Sequence, residues 1–268
     1  MSTATMITLN TLRQRKMDGK KFTCLTCYDA SFAAILDQNG VDVLLVGDSL
    51  GMVVQGHDST VPVSMDDMVY HTRMVARGRK NALVMADMPF LSYRDPATAI
   101  ANAGRLMAEG GAHMVKLEGG WVMLETVEKL AALGIPVCAH LGLLPQSVHK
   151  LGGYRVQGRE PDAAEAILSD ALAMERAGAD MVLLECVPTA LAQRITQSLH
   201  IPTIGIGAGP HCDAQVLVLY DMLGITPGKR PKFSQDFLHG RTGIAEAVRA
   251  YVEAVISGQF PDSEHSFS

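Results

Sequence analysis

The chain has 268 residues, 48% of them hydrophobic, 19% charged and 5% aromatic, and its 23 Lys and Arg against 28 Asp and Glu give a formal charge of -5. That apolar, weakly acidic balance excludes disorder over most of the length, and without a dense basic run it argues against nucleic acid or an anionic membrane as partner. No stretch approaches the ~18 apolar residues of a membrane span, and the opening MSTATMITLN has neither a basic leader nor an unbroken apolar core, so a soluble cytoplasmic protein is expected.

After this polar stretch, FTCLTCYD (22–29) is the first of a series of short apolar runs that read as strands buried on both faces. Its Cys24 and Cys27 form a C-x-x-C, but residues three apart on a strand point to opposite faces, so neither a shared metal nor an easy disulfide is expected. The five cysteines read as small buried residues of a reducing compartment. Asp29 stands before ASFAAIL as a helix cap, and that helical segment stops at Gly40. VDVLLVGDS (41–49) ends in Asp48 and Ser49, and ALVMADMP (82–89) carries Asp87 near its end. AHMVKLEG (112–119) carries Lys116 and Glu118, which two apart share one face of a strand and could form an ion pair. PVCAHLGL (136–143) holds His140, which reads equally as a catalytic group or as a buried ring bonded to a backbone carbonyl. The helical SDALAMERAGAD stops at Gly178, and DMVLLECV (180–187) follows with Glu185 among apolar neighbours. PTIGIGAG (202–209) and VLVLYDML (216–223), with Asp221, complete the series. The GIGAG fails the G-x-G-x-x-G pattern because Pro210 takes the third glycine position, and the methionines, Met85, Met88 and Met114 among them, read as core filler.

Eight such runs alternating with helical segments predict a (β/α)8 barrel in a single domain, residues 1–268, with polar N- and C-terminal extensions; an open doubly wound sheet is the second choice. The interval between the last two strands is too short for a full helix. Two intervals are long, with QGHDSTVPVSMDD after the second strand and PQSVHKLGGYRVQGRE after the fifth, and binding loops usually lie at such positions. Acidic residues at or near the carboxyl ends of six runs (Asp29, Asp48, Asp87, Glu118, Glu185 and Asp221) would converge at one mouth, with Asp29 and Asp221 more simply read as structural. Carboxylates crowded there need a compensating cation, and the oxygen ligands of Asp48, Asp87 and Glu118 favour Mg²⁺ over zinc. Glu185, destabilised in its charged form by apolar neighbours, suits proton transfer. Ser49 is placed either to bond a substrate carboxylate or to cap the next turn.

The blocks VGDSLGMVVQGHDSTVPV (46–63), ADMPFLSY (86–93), MVKLEGG (114–120), AHLGLLPQSV (139–148), GGYRVQGR (152–159), LLECVP (183–188), IGIGAGPHCDAQVLV (204–218) and the tail EHSF, in this order, resemble the ketopantoate hydroxymethyltransferase family. Leu144 and Ala214 depart from its usual residues. The resemblance implies a Mg²⁺-dependent barrel enzyme that transfers a one-carbon unit from 5,10-methylenetetrahydrofolate to 3-methyl-2-oxobutanoate, and it implies a homodecamer. It places Asp48, Asp87 and Glu118 at the metal, Asp48, Ser49, Asp87 and Lys116 at the 2-oxo acid, and Glu185 as the acid/base. Folate-binding residues are not implied. Arg155 and Arg159 of the fifth loop read as solvated or subunit-contacting surface rather than as partners of a folate tail. A Mg²⁺-dependent lyase or mutase acting on another 2-oxo acid is the alternative.

Overall fold

The computed structural model describes residues 6–228 and 230–268; the first five residues of the polar N-terminal extension and Lys229 lie outside them. Eight strands, β1 (Phe22–Thr26), β2 (Val43–Val46), β3 (Leu83–Asp87), β4 (Met114–Glu118), β5 (Val137–Gly142), β6 (Met181–Glu185), β7 (Thr203–Ile206) and β8 (Ala214–Leu217), each pair in parallel with the next. The pairing of β8 with β1 closes the barrel. Around it lie α1 (Leu9–Met17), α2 (Ala30–Gln38), α3 (Leu50–Val53), α4 (Met65–Gly78), α5 (Pro96–Ala108), α6 (Leu124–Ala132), α7 (Val148–Leu151), α8 (Pro161–Arg176), α9 (Thr189–Ser198), α10 (Leu219–Met222) and α11 (Ile244–Ile256).

The continuous apolar runs are needed because each strand is covered twice. Leu25, Leu44, Val84 and Val115 belong to the outer core under the helices, whereas Cys24, Val43, Met85 and Met114 fill the barrel. This alternation separates the C-x-x-C as expected, with Cys24 inside the barrel and Cys27 in the outer core; all five cysteines are free and buried. Local capping sets the helix starts. Asp29 accepts the Phe32 N–H at 2.9 Å, Ser64 and Asp67 form a reciprocal capping box on α4, and Asp95 caps α5 ahead of Pro96. Gly40 and Gly178, with φ of 92° and 97°, end their helices as expected.

Two expectations are corrected. The eighth strand is Ala214–Leu217, two residues earlier than the apolar run suggested, so Asp221 falls on α10 and not at a strand end. Periodicity cannot divide the run VLVLYDML, because its second half is an apolar helical turn as buried as the strand. The polar N-terminal stretch is also more than an extension: α1 inserts the fully buried Leu12 among Phe22, Val43 and Leu83 at the amino-terminal end of the barrel. Its Arg13, Arg15 and Lys16 pair with Asp180, Asp42 and Asp213, which stand just before β6, β2 and β8. Between β7 and β8 a loop replaces the helix, as the short interval required. Among the described residues no helix is long and apolar enough to cross a membrane.

Candidate active site

Inward-facing positions follow the two-residue period of each strand, so β3 ends by turning Asp87 inward, β4 turns in Met114, Lys116 and Glu118, β5 His140, and β6 Glu185. Register makes neighbours of them: Asp87 pairs with Lys116, and Glu118 with His140. Asp48 and Ser49 lie just past β2, at the entrance to α3. Asp48, Ser49, Asp87, Lys116, Glu118, His140 and Glu185 all line one cavity of about 590 Å³ at the carboxyl end of the barrel. Asp29 caps α2 outside it. Asp221 borders it but is tied by the Thr226 hydroxyl at 2.6 Å.

The Lys116 ammonium lies 2.9 Å from Asp87 Oδ1 and 3.2 Å from His140 Nδ1. Its direct carboxylate partner is thus Asp87 and not Glu118, because pairing across strands brings Asp87 closer than the same-face neighbour two residues along. Burial by itself depresses a lysine, but Asp87, then Glu118 and Asp48, outweigh it and hold Lys116 above the usual lysine range. A Schiff-base role is disfavoured by that charge.

Burial, and then Lys116, push His140 well below the usual imidazole range, so its ring is neutral. With Nδ1 accepting from Lys116, the proton sits on Nε2, 3.2 Å from Glu185 Oε2. Besides Lys116 and Glu185, the Leu143 backbone also faces the His140 ring and slightly opposes its depression, in keeping with the expected contact to a backbone carbonyl. Burial raises Glu185 to about 8, with Asp48 and Asp87 adding to the rise and Lys116 opposing it. Burial, and then Asp87, raise Asp48 to about 7, and burial, and then Asp48, hold Glu118 well above the ordinary carboxylate range.

Each member of the acidic trio has one oxygen engaged by a neutral donor. Asp87 Oδ2 accepts the Asp48 N–H at 3.0 Å, Asp48 Oδ2 the Gln146 amide at 2.8 Å, and Glu118 Oε2 the Gln146 N–H at 3.0 Å. Glu118 Oε1 is buried without a hydrogen-bond donor, and Asp87 Oδ1 has the Lys116 ammonium beside it. Carboxylate oxygens gathered from separate strands suit a hard cation. Among the described residues, no three His, Cys, Asp or Glu side chains are close enough to hold an ion unaided. Ser49 makes no cap bond; its Oγ lies 2.9 Å from Tyr28 Oη, which itself donates to Thr26 Oγ1 at 2.8 Å.

Sequence reasoning missed Gln146, Tyr93 and Tyr28. Their signal was only positional, in loops after β5, β3 and β1. Arg155 and Arg159 are exposed and do not line the cavity, whereas Arg230 and Lys232 do. The GIGAG turn is packed by Phe233 and Phe267 against Gly207.

A closed (β/α)8 barrel that gathers a lysine, a histidine and the carboxyl groups of Asp48, Asp87, Glu118 and Glu185 at its carboxyl mouth has the architecture of a barrel enzyme. The chain belongs to the ketopantoate hydroxymethyltransferase family, whose profile matches residues 6–263, and it is a hydroxymethyltransferase. It is 62% identical over 261 residues to the 3-methyl-2-oxobutanoate hydroxymethyltransferase of Alkalilimnicola ehrlichii, covering 97% of this chain and 94% of the relative. The Nitrosococcus oceani enzyme of the same name is 60% identical over 261 residues, covering 97% and 99%. Among solved structures, a putative lyase/mutase from Burkholderia cenocepacia superposes with a TM-score of 0.61 at 17% identity, covering 96% of this chain and 97% of that one. Phosphonopyruvate hydrolase in complex with oxalate and Mg²⁺ gives 0.60 at 14% identity, covering 79% and 80%; these two likenesses bear on the fold alone.

Proposed function

We propose that this hydroxymethyltransferase moves the one-carbon unit of 5,10-methylenetetrahydrofolate to C3 of 3-methyl-2-oxobutanoate, forming ketopantoate for pantothenate synthesis. The observation that carries this reading is the placement of Glu185, a carboxyl group raised to about 8, in one cavity with the buried Lys116 and three further carboxylates. A group near neutrality at working pH takes and returns protons efficiently, and the C3 proton of a 2-oxo acid is the one the reaction must remove.

In this reading Glu185 takes the C3 proton while the His140 Nε2–H steadies its carboxylate. Lys116 balances the negative charge of the 2-oxo acid, and Ser49 would turn its one hydroxyl proton from Tyr28 to the substrate carboxylate. Asp48, Asp87 and Glu118 would hold one Mg²⁺ per subunit, their carboxylate oxygens being of the hard type that ion prefers and Glu118 Oε1 lacking any hydrogen-bond donor. Such an ion would supply Lewis-acid polarisation of the keto group, which would make C3 more acidic. The C3 carbon then bonds to the folate-borne methylene carbon as one of its two C–N bonds breaks, and water displaces the second nitrogen to supply the hydroxyl; the two freed tetrahydrofolate nitrogens take up the proton carried by Glu185 and the one released by water. A cytoplasmic homodecamer is part of the same proposal and rests on the family resemblance.

Proton NMR of 3-methyl-2-oxobutanoate in D₂O tests this reading. Protein with Mg²⁺ should exchange the C3 proton, and tetrahydrofolate with formaldehyde should then yield ketopantoate. No exchange and no product under metal-replete conditions would defeat the proposal and direct attention to a lyase acting on another 2-oxo acid.

A further inference from the structure

The loop after β5 places one neutral side chain between the carboxylates of the trio. Gln146, in the tight turn Pro145–Ser147, is 6% exposed. Its amide nitrogen donates to Asp48 Oδ2 at 2.8 Å and to the Met88 carbonyl at 3.0 Å, and its backbone N–H donates to Glu118 Oε2 at 3.0 Å. Its Oε1 accepts the Tyr93 hydroxyl at 2.5 Å, and that hydroxyl in turn accepts the Glu118 N–H at 3.3 Å. The partners fix the amide orientation. A flipped amide would set its oxygen against the acceptors Asp48 Oδ2 and Met88 O, and would turn its NH₂ to a tyrosine hydroxyl already committed to accepting from Glu118.

We infer that Gln146, oriented by Tyr93, is a positioning residue for the divalent cation: by holding Asp48 Oδ2 and Glu118 Oε2 it leaves their other oxygens to face the ion. This rests on the proposal that Asp48, Asp87 and Glu118 hold Mg²⁺, and it adds a requirement in the loop after β5 that the trio alone does not contain. Three neighbouring carboxylates repel one another, and two uncharged N–H donors from one residue fix their spacing without neutralising the charge that attracts a cation. Gln146 touches no substrate atom in this account. Its effect passes through ligands it orients, and such outer-shell partners commonly govern metal affinity by about 10–100-fold.

Isothermal titration of the full-length, metal-stripped protein with MgCl₂ at fixed pH, without substrates, tests this. Gln146→Met keeps the volume and the backbone bond to Glu118 while removing the side-chain donors. The expected result is a Mg²⁺ dissociation constant about tenfold or more weaker at an unchanged metal-free unfolding midpoint. C3 proton exchange should return toward the parent rate at saturating Mg²⁺, a recovery that a fold defect would not give. Tyr93→Phe should weaken Mg²⁺ binding less, and should add less to Gln146→Met than it does alone, because the hydroxyl then has no amide to orient. A Gln146→Met protein that binds Mg²⁺ as tightly as the parent overturns the inference and leaves the metal reading standing. A parent that binds no Mg²⁺ defeats the metal reading itself and this inference with it. If Gln146→Met does not fold, Tyr93→Phe decides alone, and an unchanged dissociation constant there overturns the inference.

Discussion

At the scale of single residues, the chemistry turns on carboxyl groups that burial brings to titrate near neutral pH. Glu185→Gln retains shape and a hydrogen-bond acceptor for His140 but has no proton-accepting carboxylate. C3 exchange should fall by about 10²–10⁴-fold while calorimetry shows the affinity for 3-methyl-2-oxobutanoate retained; unchanged exchange would remove Glu185 as the base. The same groups set a pH dependence of stability. In the metal-free folded chain Asp48 ionises at about 7 and Glu185 at about 8, against ordinary values of 3.8 and 4.5. Between those limits the folded state binds more protons than the unfolded state, so their contribution to stability is complete below about pH 4 and is lost as pH rises through 7 and 8. Differential scanning calorimetry of the stripped protein should show the unfolding midpoint contributed by these groups falling from about pH 5.5 to about pH 8.5. Mg²⁺ should raise that midpoint most at the alkaline end, where the carboxylates are free to bind it. A Mg²⁺ gain that shrinks with rising pH would contradict both assignments. The carboxylates themselves were legible in the sequence because each closes an apolar run. The Lys116–Asp87 pair was not, since only the register of β3 against β4 brings the two together.

At the scale of elements, α1 behaves as a bottom plate for the barrel. It is mostly polar, and it is held by one fully buried leucine and by basic side chains that reach the acidic residues preceding β2, β6 and β8. Leu12→Ala should therefore cost about 2–5 kcal/mol in urea unfolding, through a cavity among Phe22, Val43 and Leu83, although it lies at the end of the barrel opposite the active site. A loss no larger than that of an exposed leucine would show that α1 does not close the barrel. The ion pairs of α1 are partly solvated and should contribute less than Leu12. This plug was invisible in the sequence because a lone apolar residue in a polar stretch has no periodicity to read. Helix starts were legible for the opposite reason: Asp29 and Gly40 act on their own neighbours, and local rules suffice for them.

At the scale of the whole molecule, the closed barrel brings residues from β2 to β6 into one cavity while its carboxyl-end loops leave apolar side chains in water. Phe90 and Leu91 after β3 are 41% and 58% exposed, and Trp121 and Val122 after β4 are 72% and 55% exposed. Large exposed side chains of this kind are common where subunits meet. The proposed homodecamer predicts that sedimentation equilibrium gives the mass of ten chains, and that Trp121→Glu shifts the protein toward smaller species. A monomer at micromolar concentration would remove the decamer from the proposal without touching the chemistry of the cavity.

The sequence by itself determined the alternation of buried parallel strands and helices and the acids and lysine that end the strands, while the pairing of β8 with β1 that closes the barrel belongs to the tertiary structure. What the sequence determined is written in apolar runs, strand period and caps, each acting within a few residues. The tertiary structure decided how the six acids share the mouth, since Asp29 is spent on a cap outside it and Asp221 reaches it only from α10, bonded to Thr226. It also decided that Lys116 pairs with Asp87, that His140 is neutral between Lys116 and Glu185, and that Gln146 braces two carboxylates 98 and 28 residues away. Such contacts are set by strand register and by loops folding back over the barrel, and no local pattern in the chain encodes them.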